Sequence, residues 1–589
     1  MKDLLGGSAL IGGCARLWKS LQSTASQSLL LGKKSRKEPP VEGAAVLKAA
    51  NRLHPIDGLV KTMGESALFG WLYHYWGNLL AGPSFQLLFG LIPLFCCLAA
   101  SMAAAARRFE VVLFLILLAI SVLLFARKTP LGEALSGSVL LRRFSLPKGK
   151  PSRSIPLYLA LCGLLSGGVG WFGGALLGVG LGVALAVLPA LFAIPPFWMV
   201  CLLCGLLPLA GTTACWAMSL LIGVLWLFRR AFGGAKGKAV DALDLMLVVF
   251  PILCLASTLF SYAFADSAKV ALMWLGLFFC VLFLRRVVDT RQKLTATLWS
   301  LILGAAASGC YGLFQYLSGK VDTTWTDTEL FEGLSLRVYS TFANPNVFGE
   351  FLLLAMPLCA ALAFYSKGRK RWLLLGIDLL LGVNLLLTYS RGCYVGLLLT
   401  ALVFLWNFSK KWTVAGLVAA VPLALAVMPQ SIVDRILSIG NMSDTSTSFR
   451  MWIYIGTLFM LADYWYCGLG LGEKAFNAVY PLYALPAIVA PHSHSLFFQL
   501  VISIGILGLV YMILLLMGYQ RRMRDARQSM PRRDRLLMLG FGSVFWGMLL
   551  QSVFDYTWYN YRVFQLFWIV LVLGFAAADI LKQEEKHHG

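Results

Sequence analysis

The sequence has little charge, and acidic residues are especially scarce. Only 13% of the 589 residues are charged, and 27 aspartates and glutamates stand against 50 lysines and arginines, a formal net charge of +23. Hydrophobic residues make up 59% of the chain, and the mean hydropathy is +0.76. Soluble globular domains and disordered chains both need a larger polar share, so the composition excludes both classes.

Several kinds of motif are missing as well. Apolar and polar residues do not alternate along the hydrophobic runs, so a β-barrel is not expected. The 13 cysteines form no CxxC framework, disulfide pattern or zinc spacing: Cys201 and Cys204 lie three positions apart, but no second pair accompanies them. Most lie inside apolar runs, as Cys96, Cys201 and Cys204 do, where a cysteine packs like a small apolar residue. We therefore expect neither a metal nor a cofactor.

Apolar runs of about 20 residues recur along the chain, and each has the length of a membrane-spanning helix. Basic residues cluster in short loops between these runs, as the positive-inside rule requires, so the positive charge does not call for a nucleic-acid partner. The predicted fold is an all-α polytopic membrane protein of about 14 transmembrane helices. A large external loop carrying short helices completes this prediction.

The sides of the membrane follow from the loops. Each strongly basic loop is separated from the next by two apolar runs, which places all of them on one face, the cytoplasm. The acidic loop 318–346 and the long loop 429–494 then lie on the external face. The loops assigned to the cytoplasm are 229–238, 285–293, 367–371, 410–411 and 521–535.

Four regions follow from this threading. Residues 1–64 form a basic cytoplasmic or membrane-surface tail, in which no cleavable signal peptide is expected. Residues 65–128 form a membrane hairpin, and residues 155–240 form further transmembrane helices. Residues 241–580 form the membrane domain that carries every polar motif discussed below.

Two apolar stretches leave the helix count open near the N-terminus. Residues 155–194 and 197–228 are each too long for one ordinary span and short for two. The glycine-rich run 173–182 favours close packing of helices over ligand binding.

Polar motifs on the predicted external face are the candidates for chemistry. The Asn344-Pro345-Asn346 turn follows Arg337 and places Asn346 at the start of a helix, where a capping role competes with a functional one. Arg391 stands in a short turn between two apolar helices. It is either a headgroup anchor or a phosphate ligand, and an external arginine is unexpected under the positive-inside rule.

The long loop 429–494 contributes two further candidates. Arg450 opens an apolar, aromatic segment that we expect to be helical, lying on the membrane or covering a cavity. His492 and His494 lie where the loop re-enters the membrane, and an imidazole there can exchange a proton near neutral pH. Their HxH spacing lacks a nearby third ligand, so metal binding is disfavoured.

The remaining polar groups are weaker candidates. Arg562 lies beside Trp558, and an interfacial anchor is a simpler explanation of it than catalysis. Glu350 and Asp378 are intramembrane carboxylates, which are functional candidates by default, but the sequence identifies no partner for either.

Taken together, the arginines and one histidine predict a specific kind of chemistry. Arginine forks bind diphosphates bidentately and stabilise a diphosphate leaving group without a divalent metal. A histidine in the same site can deprotonate an attacking hydroxyl.

The order of these motifs resembles that of the O-antigen ligase and polymerase family, integral membrane glycosyltransferases of the GT-C type. The resemblance covers about residues 241–579. It rests on four segments in the same order: Thr341-Phe342-Ala343-Asn344-Pro345-Asn346, Thr388-Tyr389-Ser390-Arg391-Gly392, Gly468-Leu469-Gly470, and Pro491-His492-Ser493-His494-Ser495-Leu496 with Gly505-Ile506-Leu507-Gly508.

The resemblance implies a transferase at the external face of the plasma membrane, with a polyprenyl-diphosphate-linked glycan as donor and a glycan or lipid-glycan as acceptor. It implies that Arg391 and Arg450 bind the diphosphate and that His494 activates the acceptor hydroxyl. Arg337 matches an arginine common before the turn. We add His492, Asn346 and Arg562 as supporting residues.

This chain departs from the family at two positions. Ser495 stands where many relatives have asparagine, and Ser503 stands where many have an acid. Both departures concern the acceptor and the positioning of His494, not the reaction class.

Three alternatives compete with a ligase. A polymerase would use the same groups. A polysaccharide or lipid transporter, or a flippase, fits the hydropathy, but should show inverted halves with broken helices at the midplane. A membrane scaffold would give the external arginines and His494 no purpose.

Overall fold

The structure, a computed structural model, describes residues 55–105, 108–126, 128–134, 149–173, 175–192, 194–233, 240–319, 336–411, 413–414, 445–485 and 490–588. The predictions for the tail before residue 55, for the acidic residues 322–332 and for an apolar run after residue 415 lie outside the described residues.

Within that part of the chain, regular structure is helical and no strand forms. The helices group into two compact units, one of residues 53–199 and 221–238 and one, the main unit, of residues 200–220 and 239–589. The first unit holds α1 Pro55–Glu65, α2 Ala67–Ala81, α3 Leu88–Ala104, α4 Arg108–Phe125, α5 Leu131–Ala134, α6 Ser154–Gly173 and α7 Ala175–Leu191.

Two helices, α8 Pro196–Leu206 and α9 Thr212–Phe232, belong partly to each unit. The helices of the main unit are α10 Ala242–Leu259, α11 Phe264–Phe279, α12 Val281–Val287, α13 Arg291–Ser318, α14 Pro345–Tyr365, α15 Arg369–Leu387, α16 Arg391–Phe408, α17 Thr445–Tyr464, α18 Glu473–Asn477, α19 Leu496–Ile504, α20 Ile506–Ser529, α21 Arg532–Phe554 and α22 Tyr561–His588.

The all-α polytopic fold predicted from the sequence is confirmed. The described ranges contain 11 helices that are long and apolar enough to cross a membrane. The total of about 14 spans stays a prediction. The aromatic segment after Arg450 is the 20-residue helix α17, as expected, and it is followed by the short helix α18 and a 3₁₀ turn at Tyr480–Leu482.

Each of the two ambiguous apolar stretches consists of two helices. Residues 155–194 form α6 and α7, and residues 197–228 form most of α8 and α9. The glycine-rich run explains how α6 and α7 approach so closely. A Cβ atom on Gly178 would lie 2.6 Å from the Cα atom of Gly170, which only glycine tolerates.

Helices α14 and α22 form the centre of the main unit, with 89% and 94% of their most apolar stretches buried. An aromatic cluster packs around α22 beneath the turn that precedes it. Trp558 and Trp568 are fully buried in it, with ring centroids 5.6 Å apart, and Trp274 lies 5.8 Å from Trp558. Such edge-to-face and tilted pairs add to the free energy gained by burying the rings.

Ion pairs join the helix ends on the face that the sequence assigns to the cytoplasm. Arg285 contacts Asp241 and Asp579, and Arg291 contacts Asp534 through both guanidinium nitrogens. Most of these groups are half-buried, so the hydrogen bonds between the partners must offset the cost of removing both charges from water. Many of the basic residues that predict topology therefore also bind the few acids of the chain.

The packing of α16 against α21 matters most for the site, since Arg391 begins α16 and Asp555 follows α21. The two backbones touch at Gly396 and Gly547. A Cβ atom on Gly547 would lie 2.2 Å from the carbonyl oxygen of Gly396 and 2.3 Å from Thr400 Oγ1. Thr400 Oγ1 also accepts a hydrogen bond of 3.0 Å from the Gly547 N–H.

We expect Gly547→Ala to destabilise the protein by about 1–3 kcal/mol, because the added methyl group overpacks a backbone contact. Gly376→Ala in α15 is the matched control. No atom lies within 4 Å of the Cβ position there, so this change should be neutral or stabilising by up to about 1 kcal/mol. Thermal unfolding in detergent measures both, and equal midpoints for the two variants would contradict the packing argument.

Candidate active site

The strained backbone of the described residues gathers in the predicted motifs. Four residues other than glycine have positive φ: Ser340 and Ala343 before α14, Tyr389 before α16, and His494 before α19, with φ between 51° and 58°. A left-handed conformation costs free energy in residues that carry a Cβ atom. Such strain is retained where surrounding contacts enforce it, commonly at functional sites.

The contacts that enforce it are clear at Ser340. Its backbone N–H donates to Gln315 Oε1 at 2.7 Å, and its carbonyl accepts from Gln315 Nε2 at 3.1 Å. Its hydroxyl contacts Ser308, so α13 holds the turn from one side. Every partner is buried, which makes the turn rigid.

The Asn-Pro-Asn turn divides two roles between its asparagines. Asn344 is the N-cap of α14, since its Oδ1 accepts from the N–H groups of Asn346 and Val347 at 2.8 and 3.4 Å. Asn346 is therefore not the cap. Its side chain instead accepts from Arg337 Nη2 at 3.1 Å and donates to Asp555 Oδ2 at 3.3 Å.

Arg337 and Arg391 lie at the same turn. Arg337 Nε donates to the carbonyl oxygen of Thr388 at 3.0 Å, three residues before α16 begins. Arg391 is the first residue of α16, and its Nη2 donates to Thr447 Oγ1 at 3.2 Å in the first turn of α17. Both guanidinium groups are thus positioned by neighbouring backbone and hydroxyl groups.

The two histidines form a compact turn, which explains their spacing. The N–H of His494 donates to Nδ1 of His492 at 3.1 Å, and the ring centroids lie 4.3 Å apart. Because His492 Nδ1 accepts this bond, the proton of its neutral ring is on Nε2. His492 is buried, whereas the His494 side chain is 18% exposed.

Asp555, directly after α21, joins the separate motifs. Its Oδ2 lies 3.3 Å from Arg450 Nη2 on α17 and accepts from Asn346 at the same distance. Its Oδ1 lies 3.4 Å from Nδ1 of His494. That contact lacks hydrogen-bond geometry, and Nδ1 has no hydrogen-bond partner among the described residues, so a small rotation of the ring would engage the carboxylate.

The electrostatics of this cluster fix its charge states. Burial opposes ionisation of Asp555, but Arg450 and His494 outweigh it and hold the pKa of the carboxyl well below its usual range. Burial, with repulsion from His494, lowers the pKa of His492 to about 3. Near neutral pH Asp555 is therefore an anion and His492 is a neutral hydrogen-bonding group.

Glu350 has the partner that the sequence did not reveal. Its Oε1 accepts from Gln551 Nε2 at 3.2 Å, and both residues are buried one turn inside the helices that carry Asn346 and Asp555. Asp378 Oδ1 is buried without a hydrogen-bond partner in the described part of the chain.

Arg562 binds backbone carbonyl groups, and none of its contacts described here is to a histidine. Its guanidinium donates to Pro208 at 3.0 Å and Thr341 at 2.6 Å, and it stacks over the Phe342 ring at 4.2 Å. It is 8% exposed. These contacts position the turn before α14, and they differ from those of an interfacial anchor.

The structure therefore brings most of the predicted residues together. Asp555 is contacted directly by His494, Arg450 and Asn346. Arg337 joins this group through Asn346, and His492 joins it through His494. Arg391 contacts Thr447, three residues before Arg450, and Arg562 stands apart. Sequence reasoning missed Asp555. The available signal was an acid directly after an apolar helix, in a segment predicted to be external and otherwise rich in aromatic residues.

The two departures from the family lie beneath the histidine turn. Ser495 Oγ donates to the carbonyl oxygen of Ser552 at 3.4 Å, which ties the turn to α21. Ser503 Oγ accepts from Gln499 Nε2 at 3.1 Å, and Gln499 Oε1 accepts from the N–H of Ser493 at 2.9 Å. Both serines thus belong to the scaffold that holds His494.

Residues 376–513 match the family model described as O-antigen ligase. The matched region contains Arg391, Arg450 and both histidines, and it excludes Arg337, Asn346 and Asp555. The match confirms the family resemblance drawn from the motifs. Comparison with curated proteins found no match.

The depressed pKa of His492 makes stability depend on pH in a defined window. The unfolded imidazole protonates near pH 6.5, whereas the folded one does so near pH 3. Stability is therefore fully present above about pH 6.5 and falls as pH drops towards 3, by about 2 kcal/mol between pH 7 and 5. Asp555 does not contribute there, since its carboxyl is ionised in both states.

We expect His492→Gln to flatten this dependence. The measurement is the thermal unfolding midpoint in detergent at pH 7, 6 and 5, with the change between pH values as the readout, since the substitution also alters stability at pH 7. An equally steep decline in the variant would show that His492 is not the titrating group.

Proposed function

Because the chain carries an O-antigen ligase domain over residues 376–513, we propose that it is a membrane glycosyltransferase acting on a polyprenyl-diphosphate-linked glycan. It transfers this glycan to an acceptor or polymerises it, at the external face of the plasma membrane. The observation that carries the proposal is the contact of His494 and Arg450 with one carboxylate, Asp555. The motif arginines Arg337 and Arg391 stand at the adjoining turn.

The donor diphosphate is assigned to the arginines. Arg391 begins α16, Arg450 lies in the second turn of α17, and Thr447 in the first turn of α17 contacts Arg391. Guanidinium forks bind two phosphate oxygens at once, and helix N-termini add favourable positive potential. Arg337 is held at the same turn and supplies a third positive charge.

The general base is assigned to His494. Asp555 beside Nδ1 favours the tautomer with its proton on Nδ1, which leaves Nε2 to accept a proton. The acceptor hydroxyl gives its proton to Nε2 while its oxygen bonds to the anomeric carbon. The bond from that carbon to the diphosphate breaks, the diphosphate leaves with the electron pair, and the configuration inverts.

In this assignment the arginines stabilise the diphosphate leaving group, so no divalent metal is required. Asp555 acts as a positioning residue: it orients His494 and stabilises the imidazolium that forms. Asn346 accepts a hydrogen bond from Arg337 and donates one to Asp555, so it links the arginine to the carboxylate. Membrane lipids surround the helices, and the reacting groups lie at helix ends where both substrates have access.

We expect Arg391→Lys to lower transfer about a hundredfold or more, because lysine keeps the charge but loses the bidentate fork. Arg371→Lys is the matched control. Arg371 lies in the first turn of α15, whose other end precedes the site, and donates to Ser366. The measurement is transfer from a polyprenyl-diphosphate glycan by the purified protein in liposomes. Equal activity of the two variants would remove Arg391 from the donor site.

We expect His494→Ala to lower transfer by about a hundredfold to ten-thousandfold, the usual contribution of a general base, while affinity for polyprenyl diphosphate stays near normal. His492→Ala should cost less, since only one imidazole abstracts the proton. Transfer should persist in a chelator. Complete loss in chelator with recovery on adding zinc or magnesium would contradict the mechanism and make the histidines candidate metal ligands.

A further inference from the structure

A cavity borders the histidine turn, on the side of His492. Its volume is about 440 Å³, within the range of small-molecule pockets. His492 lines it, whereas the arginines assigned to the diphosphate do not. The cavity therefore has no part in the donor site as described.

Aromatic side chains dominate its wall. They come from α11 and from the turn between α21 and α22, and they comprise Trp274, Tyr556, Trp558, Tyr559 and Tyr561. The His492 ring lies 4.7 Å from the Tyr559 ring and 5.3 Å from the Tyr556 ring. Tyr559 is 50% exposed, so part of this aromatic surface is open to a ligand.

The positive and negative side chains that line this cavity are equal in number, whereas the groups assigned to the donor diphosphate are all arginines. Asp266 and Glu473 stand with Lys269 and Lys474, two of each sign. Lys474 Nζ lies 3.1 Å from Asp266 Oδ1, and Lys269 Nζ lies 3.4 Å from it. A diphosphate gains little from such a neutral rim, whereas a neutral polyhydroxyl compound finds both donors and acceptors.

We propose that this cavity binds the acceptor glycan, an inference that rests on the proposed function. Sugar rings present C–H groups on their faces, and these pack on the electron-rich faces of aromatic rings. Their hydroxyls bind the carboxylates and ammonium groups of the charged side chains that line the cavity. Because the rings of His492 and His494 are 4.3 Å apart, a sugar beside His492 places a hydroxyl next to the base.

The wall of the cavity also explains the role of His492. As a neutral ring with its proton on Nε2, it donates a hydrogen bond to a sugar hydroxyl while its Nδ1 holds the backbone of His494. It is thus a residue that touches the acceptor and positions the base. The mechanism assigned to His494 alone leaves this burial of a second imidazole unexplained.

The test uses the full-length protein in detergent and two probes without catalysis. The first is the neutral oligosaccharides released by mild acid from the envelope polysaccharide of the cells that make the protein. The second is undecaprenyl diphosphate. Binding is followed by saturation-transfer NMR for the sugars and by tryptophan fluorescence for both probes.

We expect Tyr559→Ala to weaken oligosaccharide binding about tenfold and to leave diphosphate binding unchanged, because it removes a ring face on which a sugar packs. Tyr559→Phe should retain most of the affinity. Tyr466→Ala is the matched control, a 60% exposed tyrosine on a neighbouring turn that does not line the cavity. Glu473→Gln provides a second cavity variant.

Two results would overturn the proposal. One is oligosaccharide affinity that is absent in the unsubstituted protein or equal in Tyr559→Ala, Glu473→Gln and Tyr466→Ala. The other is a loss of diphosphate affinity in Tyr559→Ala, which would assign the cavity to the donor. The proposed function fails separately: oligosaccharides then bind as expected, but no glycan is transferred from the polyprenyl donor.

Discussion

The Asp555 carboxylate is the interaction on which the arrangement of the site depends. It holds groups from α14, α17 and the histidine turn at 3.3–3.4 Å, and these segments are far apart in the chain. A buried carboxylate is stable only when cations or donors surround it, so Asp555 and Arg450 need each other. Removing this acid would leave the half-buried Arg450 without its partner and His494 without its orienting group.

Membrane helices limit where such a site can form. Backbone groups in the bilayer must be hydrogen-bonded within helices, so irregular turns belong at helix ends or inside the protein. Here three such turns, before α14, α16 and α19, carry the residues with positive φ and the motif side chains. The close contact of Gly396 with Gly547 packs α16, which follows one of these turns, against α21, which ends at Asp555. The strained turns and the tight packing between helices thus together position the motif side chains.

The sequence predicted much of this arrangement, for physical reasons that can be named. Apolar runs of bilayer length define helices, so the bounds of α13, α14 and α16 lie within about three residues of the predicted spans. The polar motifs predicted His494, Arg391, Arg450 and Arg337 as candidate site residues, because arginines on a face predicted to be external and an isolated histidine pair have few structural uses. Asn344 rather than Asn346 is the cap, a distinction that depends on backbone geometry.

The sequence by itself determined the helical membrane class and the chemical types of the candidate site residues, since hydropathy and residue type are local properties. Tertiary structure alone decided which acid completes the site, where Arg562 binds, and that an aromatic cavity borders His492. These facts depend on contacts between residues such as His492 and Tyr559, or Arg450 and Asp555, separated by 67 and 105 positions. No periodicity or spacing encodes such contacts, because they arise only when the helices pack.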